Sequence, residues 1–103
     1  MRDLLGQEAV EQPKTGRPHG PIYLKALPLR SADEVENIKV EVSKRNIVIL
    51  RVTPLAHKNV EELRRAVQEL YEYVEGIGGD IARLGEDRIV ITPPEVKIWR
   101  GLL

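Results

Sequence analysis

Gly79-Asp80-Ile81-Ala82-Arg83-Leu84-Gly85-Glu86-Asp87-Arg88-Ile89-Val90-Ile91-Thr92-Pro93 is the stretch that decides the fold. It reads as strands over 80–84 and 88–92, joined by a tight polar turn at Gly85-Glu86-Asp87 and stopped by Pro93-Pro94. Ile81, Ile89 and Ile91 alternate with Ala82, Leu84 and Val90, so both faces of the hairpin are apolar. Strands of that kind are covered on both sides.

Upstream, Gly76, Gly78 and Gly79 end a helix, where left-handed backbone is needed. That helix runs from Val60 to about Glu75. Asn59, with Glu62 three residues on, opens it, and Val60, Leu63, Val67, Leu70 and Val74 recur at helical spacing. Before it, Ile47–Val52 is a β-branched strand ended by Thr53-Pro54. Ser31-Ala32-Asp33-Glu34 is a capping box for a helix reaching about Lys44, with Val35, Ile38 and Val42 as its apolar stripe. Ile22–Leu29 is the first strand. Downstream, Val96–Trp99 reads as a last edge strand. The order is βαβαβββ. It predicts an α/β fold: a small two-layer sandwich with two helices on one face of a four- or five-stranded sheet.

Pro13, Gly16, Pro18 and Gly20 make residues 1–20 a flexible N-terminal tail and linker, and 21–103 the compact domain. Sixteen basic and sixteen acidic side chains cancel, which argues against a general affinity for nucleic acid. With no cysteine there is no disulfide framework, thiol nucleophile or thiolate metal site. No apolar run approaches the ~20 residues needed to cross a bilayer, and the N-terminus lacks the layout of a secretion signal. The pattern reads as a cytoplasmic domain. Charged residues reach 31%, as on thermophile-like surfaces.

Chemistry is hard to find in this chain. His19 lies in the linker and His57 precedes the second helix, and neither has a metal-ligand partner at i+3 or i+4. Asp80, Glu86 and Asp87 cluster near the turn, where acidic residues serve conformation. Ser31 is a cap and Ser43 lies within a helix, so neither is a nucleophile elbow. Neither catalytic residues nor a cofactor site is predicted. The strands do carry information on assembly. Ile47–Val52 is apolar on both faces, yet two helices cover only one. A second copy is the simplest cover, and the expected dimer residues are Ile47, Ile49, Ala66 and Tyr73.

The stretch Gly79-Asp80-Ile81, Arg83, Leu84-Gly85, Ile89-Val90-Ile91, Thr92-Pro93 and Val96-Lys97-Ile98 resembles the conserved end of the SepF cell-division family, especially its archaeal branch. The similarity extends upstream through Tyr23-Leu24-Lys25-Ala26-Leu27 and from Asn46 to Pro54. The bacterial Asp-Phe-Leu-Ser-Gly pattern is absent, with Tyr71-Glu72-Tyr73-Val74-Glu75-Gly76 in its place.

The resemblance implies a homodimeric adaptor that catalyses nothing. Such a protein binds the C-terminal tail of FtsZ and holds FtsZ filaments at the inner face of the cell membrane during septation. In related members the tail docks on the late hairpin, on a basic residue of its first strand and a large apolar residue of its second. Those positions match Arg83 and Ile89, with Ile81 and Ile91 widening the patch. Arg83 would hold a carboxylate or carbonyl of the tail. Membrane contact would fall to Met1, Leu4 and Leu5. Burying those three gives roughly 5–8 kcal/mol, against about 1 kcal/mol or more for each of about eight residues ordered. Useful attachment would therefore need several tails acting together. The alternative is a ferredoxin-like domain that binds a small regulatory molecule.

Overall fold

The computed structural model of the chain describes residues 20–101. Its elements are β1 (Leu24–Pro28), a 3-10 turn (Ala32–Glu34), α1 (Val35–Ser43), β2 (Ile47–Arg51), α2 (Thr53–Lys58), α3 (Val60–Ile77), β3 (Asp80–Leu84) and β4 (Arg88–Thr92). The strands form a four-stranded sheet in the order β1-β2-β4-β3. β1 and β2 run parallel, joined over one face by α1, as a β-strand–helix–β-strand unit requires. β4 then pairs antiparallel with β2 on one side and with β3 on the other. The hairpin is thus inserted next to β2, and β3 becomes an edge strand.

Local chemistry explains the helices. Asn59 accepts the Glu62 amide at 3.0 Å and caps α3 as its sequence predicts. Gly78, at φ 80°, closes α3 in the left-handed conformation that a Cβ disfavours. The Ser31 capping box does not form. The Ser31 side chain makes no cap bond, because Glu34 turns back to the Arg30 amide at 2.7 Å and to the Arg30 guanidinium at 2.7 and 2.9 Å. The Ala32 amide is taken by Glu62 of α3 instead, at 2.8 Å.

Two departures from the expected order have physical reasons. Thr53-Pro54 does follow the end of the strand, but it also opens α2, a helix absent from the expected order, with Pro54 in the first turn, where its missing N–H costs nothing. Val96–Trp99 is not a strand. That segment is held by side chains: Thr92 Oγ1 donates to the Val96 carbonyl at 2.7 Å, and the Ile98 amide donates to Asp80 Oδ2 at 3.0 Å.

The core lies between the helices and one face of the sheet. Val35, Ile38 and Val42 of α1 and Ala66, Leu70 and Val74 of α3 pack on Val48, Leu50, Ile89 and Ile91. Strand alternation places Ile47 and Ile49 on the opposite face, half-buried, with exposed Leu24 and Leu84. No described element covers that face. Gly79 links α3 to β3 at a close approach: a Cβ there would overlap the Thr92 carbonyl oxygen.

Candidate functional site

β3 and β4 place Ile81, Arg83, Ile89 and Ile91 on the helix side of the sheet, with Ile81 opposite Ile91 and Arg83 opposite Ile89. β3 lies outside the shelter of α3, so a groove opens between them. It has a volume of about 180 Å³ and is lined by Val67 and Tyr71 of α3 with Ile81, Ala82, Arg83 and Ile89. Val67 and Tyr71 are four apart and so share one edge of the helix. The floor is apolar. Arg83 is exposed at its rim, and among the described residues its guanidinium reaches only the Glu86 carbonyl, from Nη2 at 3.5 Å. Its guanidinium is therefore available to a carboxylate, the partner it binds most strongly.

One end of the groove is fixed by a charged clamp. The Asp80 carboxylate accepts from Arg100 Nη1 and Nη2 at 3.0 and 3.1 Å. It also accepts the amides of Ile81 and Ile98, each at 3.0 Å. The Arg100 guanidinium, and then those amides, hold the Asp80 carboxyl well below the usual carboxylate range. Arg100 also donates to the carbonyls of Ile98 and Ile81, at 3.2 and 3.1 Å. The segment before Gly101 is thereby stapled to the start of β3.

Three of the four residues expected to bind a partner meet in this groove: Ile81, Arg83 and Ile89. Ile91 does not. It is fully buried, because its strand lies between β2 and β3 and its side chain faces the core level with Val48. The expected dimer residues divide in the same way. Ile47 and Ile49 lie on the uncovered sheet face, whereas Ala66 is a core residue, 2% exposed. Tyr73 is turned inward to α1. Its hydroxyl donates to the Lys39 carbonyl at 3.4 Å, and Lys39 Nζ sits 5.5 Å from its ring centre. Met1, Leu4 and Leu5 lie outside the described residues.

Val67 and Tyr71 belong to the groove and were not expected there. The signal available was their four-residue spacing on one edge of α3's wide apolar arc. Among the described residues, no group of His, Cys, Asp and Glu could hold a metal ion, and no helix is long and apolar enough to cross a membrane.

Residues 25–98 match the model of a protein family described as Cell division protein SepF. A curated relative, Cell division protein SepF from Halalkalibacterium halodurans, is 33% identical over 69 residues, which is 67% of this chain and 44% of the relative. The chain thus spans less than half the length of that relative. Among solved structures, the SepF-like protein from Archaeoglobus fulgidus is 30% identical with a TM-score of 0.72, over 80% of this chain and 98% of that one. The SepF-like protein from Pyrococcus furiosus is 28% identical with a TM-score of 0.71, over 79% and 98%. Cell division protein SepF from Methanobrevibacter smithii, solved in complex with FtsZ-CTD, shares the fold at 18% identity, with a TM-score of 0.69 over 77% and 99%.

Proposed function

Because this chain belongs to the SepF family of cell division proteins, we propose that it is an adaptor that binds the C-terminal tail of FtsZ in the groove between α3 and the β3–β4 hairpin. The observation that carries this reading is the groove itself: an apolar floor of Val67, Tyr71, Ile81 and Ile89 beside a guanidinium with no carboxylate partner among the described residues. Such a surface suits a short peptide with apolar side chains and one acidic group. The groove's volume of about 180 Å³ is small for a metabolite, since small-molecule pockets run from about 300 to 1,000 Å³. The M. smithii relative, solved with FtsZ-CTD, supports the choice of partner.

The same reading includes a dimer and a membrane. A contiguous apolar sheet face marks an interaction surface, and two-fold pairing of identical faces covers it. Ile47, Ile49 and Leu24 would lie in that interface. Attachment to the inner face of the membrane through Met1, Leu4 and Leu5 would let a dimer carry two tails and gain by avidity. The protein would act by binding alone, without catalysis.

Co-sedimentation with FtsZ polymers tests the proposal. The chain should pellet with full-length FtsZ polymers and stay in solution with polymers lacking the C-terminal tail. Equal pelleting with both would refute tail docking.

A further inference from the structure

β3 is an edge strand, and an edge strand carries main-chain groups with no ladder partner. In an antiparallel pair, alternate residues point both main-chain groups toward the partner strand or away from it. The clamp shows which residues point away. The Ile81 amide donates to Asp80 Oδ1 at 3.0 Å, and the Ile81 carbonyl accepts from Arg100 Nη2 at 3.1 Å. Ile81 therefore faces outward, and Asp80, Ala82 and Leu84 face β4. By the same alternation Arg83 faces outward too. No turn, cap or side-chain hydrogen bond among the described residues reaches its amide or carbonyl.

The free edge is thus one residue long. On one side Arg100 and Asp80 already occupy the groups of Ile81. On the other the chain leaves the strand at Gly85, with φ at 74°. The single open position belongs to the residue whose side chain guards the groove.

We propose that the groove's occupant is an extended peptide that adds a minimal strand to β3, held by main-chain hydrogen bonds at Arg83 alone, with the Asp80–Arg100 clamp setting where that strand stops. This rests on the tail-docking reading above and specifies its mode. A peptide residue level with Arg83 shares its side of the sheet. Its side chain therefore lies beside Arg83 and toward Val67 and Tyr71, and its neighbours point away. Main-chain bonds fix the peptide without reading its sequence. The groove floor and the Arg83 guanidinium do the reading. Arg100 is a positioning residue here, because it touches the strand and not the peptide.

Amide hydrogen exchange on the full chain, with and without a synthetic peptide of the FtsZ C-terminal tail, tests this. At saturation the Arg83 amide should slow by about tenfold or more, while the Ile81 amide, already held by Asp80, keeps its rate. A scan of the peptide with single N-methyl groups should find one position, or two adjacent, where affinity falls by about tenfold or more. In Asp80→Ala, which releases the Ile81 amide, that amide should gain protection on binding as the strand lengthens. Saturable binding with an unchanged Arg83 amide and no sensitive N-methyl position would overturn the strand-addition mode and leave tail docking standing. No saturable binding at all would overturn both.

Discussion

Arg83 and Ile89 stand directly opposite each other across the β3–β4 hairpin, with both side chains on the face that meets α3. The pairing sets a charge beside an apolar wall, where the β3 edge of the sheet and α3 leave a groove. The two residues differ in their structural duties. Arg83 is exposed, while Ile89 is 8% exposed and counts in the core.

Arg83→Glu should therefore separate binding from folding. The side chain's one hydrogen bond among the described residues is long, so the melting temperature should stay within about 2 °C of the parent, as for ordinary surface substitutions. Affinity for the FtsZ tail should fall by about tenfold or more, since a charge-assisted bond is lost and replaced by repulsion. Calorimetric titration and a thermal melt on one preparation read both quantities.

Ile91→Ala should do the reverse. A fully buried isoleucine truncated to alanine costs about 2–5 kcal/mol, and its neighbour across the strand pair is Val48, in the core. Urea unfolding should show that loss. The tail affinity of the folded fraction should remain that of the parent. A large change in affinity at full folding would restore Ile91 to the docking surface.

Gly79→Ala tests the close approach between α3 and β3. The added methyl would meet the Thr92 backbone oxygen, and backbone cannot swing aside as a side-chain tip can. A loss of about 1–3 kcal/mol is expected. Gly76→Ala is the control, because a Cβ there meets nothing within 4 Å. It should be neutral or stabilising, since alanine is the better helix former.

Acid should loosen the clamp. The folded pKa of Asp80 lies below its unfolded value of about 3.9. Its contribution is fully present above about pH 4 and is lost as the pH falls from there toward the folded pKa. Glu34, Glu41 and Glu69 are also lowered, by the Arg30 amide, Lys25 and Lys39 respectively, and their contributions have the same sign. Asp80→Asn should lower the urea midpoint at pH 7 and flatten, without abolishing, its fall between pH 5 and pH 2. An unchanged acid limb would mean that the pair adds nothing.

Much of this was legible in the sequence. Alternation correctly placed Ile81, Arg83, Ile89 and Ile91 on one face, because a strand's period is fixed at two residues. It could not say which strand lies at the edge. That depends on β4 pairing with β2, a long-range choice that local pattern does not encode, and it decides that Ile81 is reachable while Ile91 is not. Ala66 and Tyr73 failed for a related reason: a wide apolar arc on α3 is shared between α1, the sheet and the groove, and the sequence shows only its width. The Val96–Trp99 segment has strand-like alternation, but Asp80 and Thr92 anchor it through side chains, a contact that no periodicity reveals.

The uncovered sheet face makes its own prediction. The parent should sediment as a dimer, and Ile49→Lys should yield a folded monomer, since it puts a charge at the centre of that face. A dimer that survives the change would move the interface to the helical side.

Tail docking is tested most directly by a titration of the isotope-labelled chain with the FtsZ C-terminal tail peptide, followed by amide shifts. Tail docking predicts saturable shifts concentrated on residues 81–89 and on α3 around Val67 and Tyr71, absent in Arg83→Glu. No shifts at millimolar peptide, or saturable shifts confined to another surface, would contradict it.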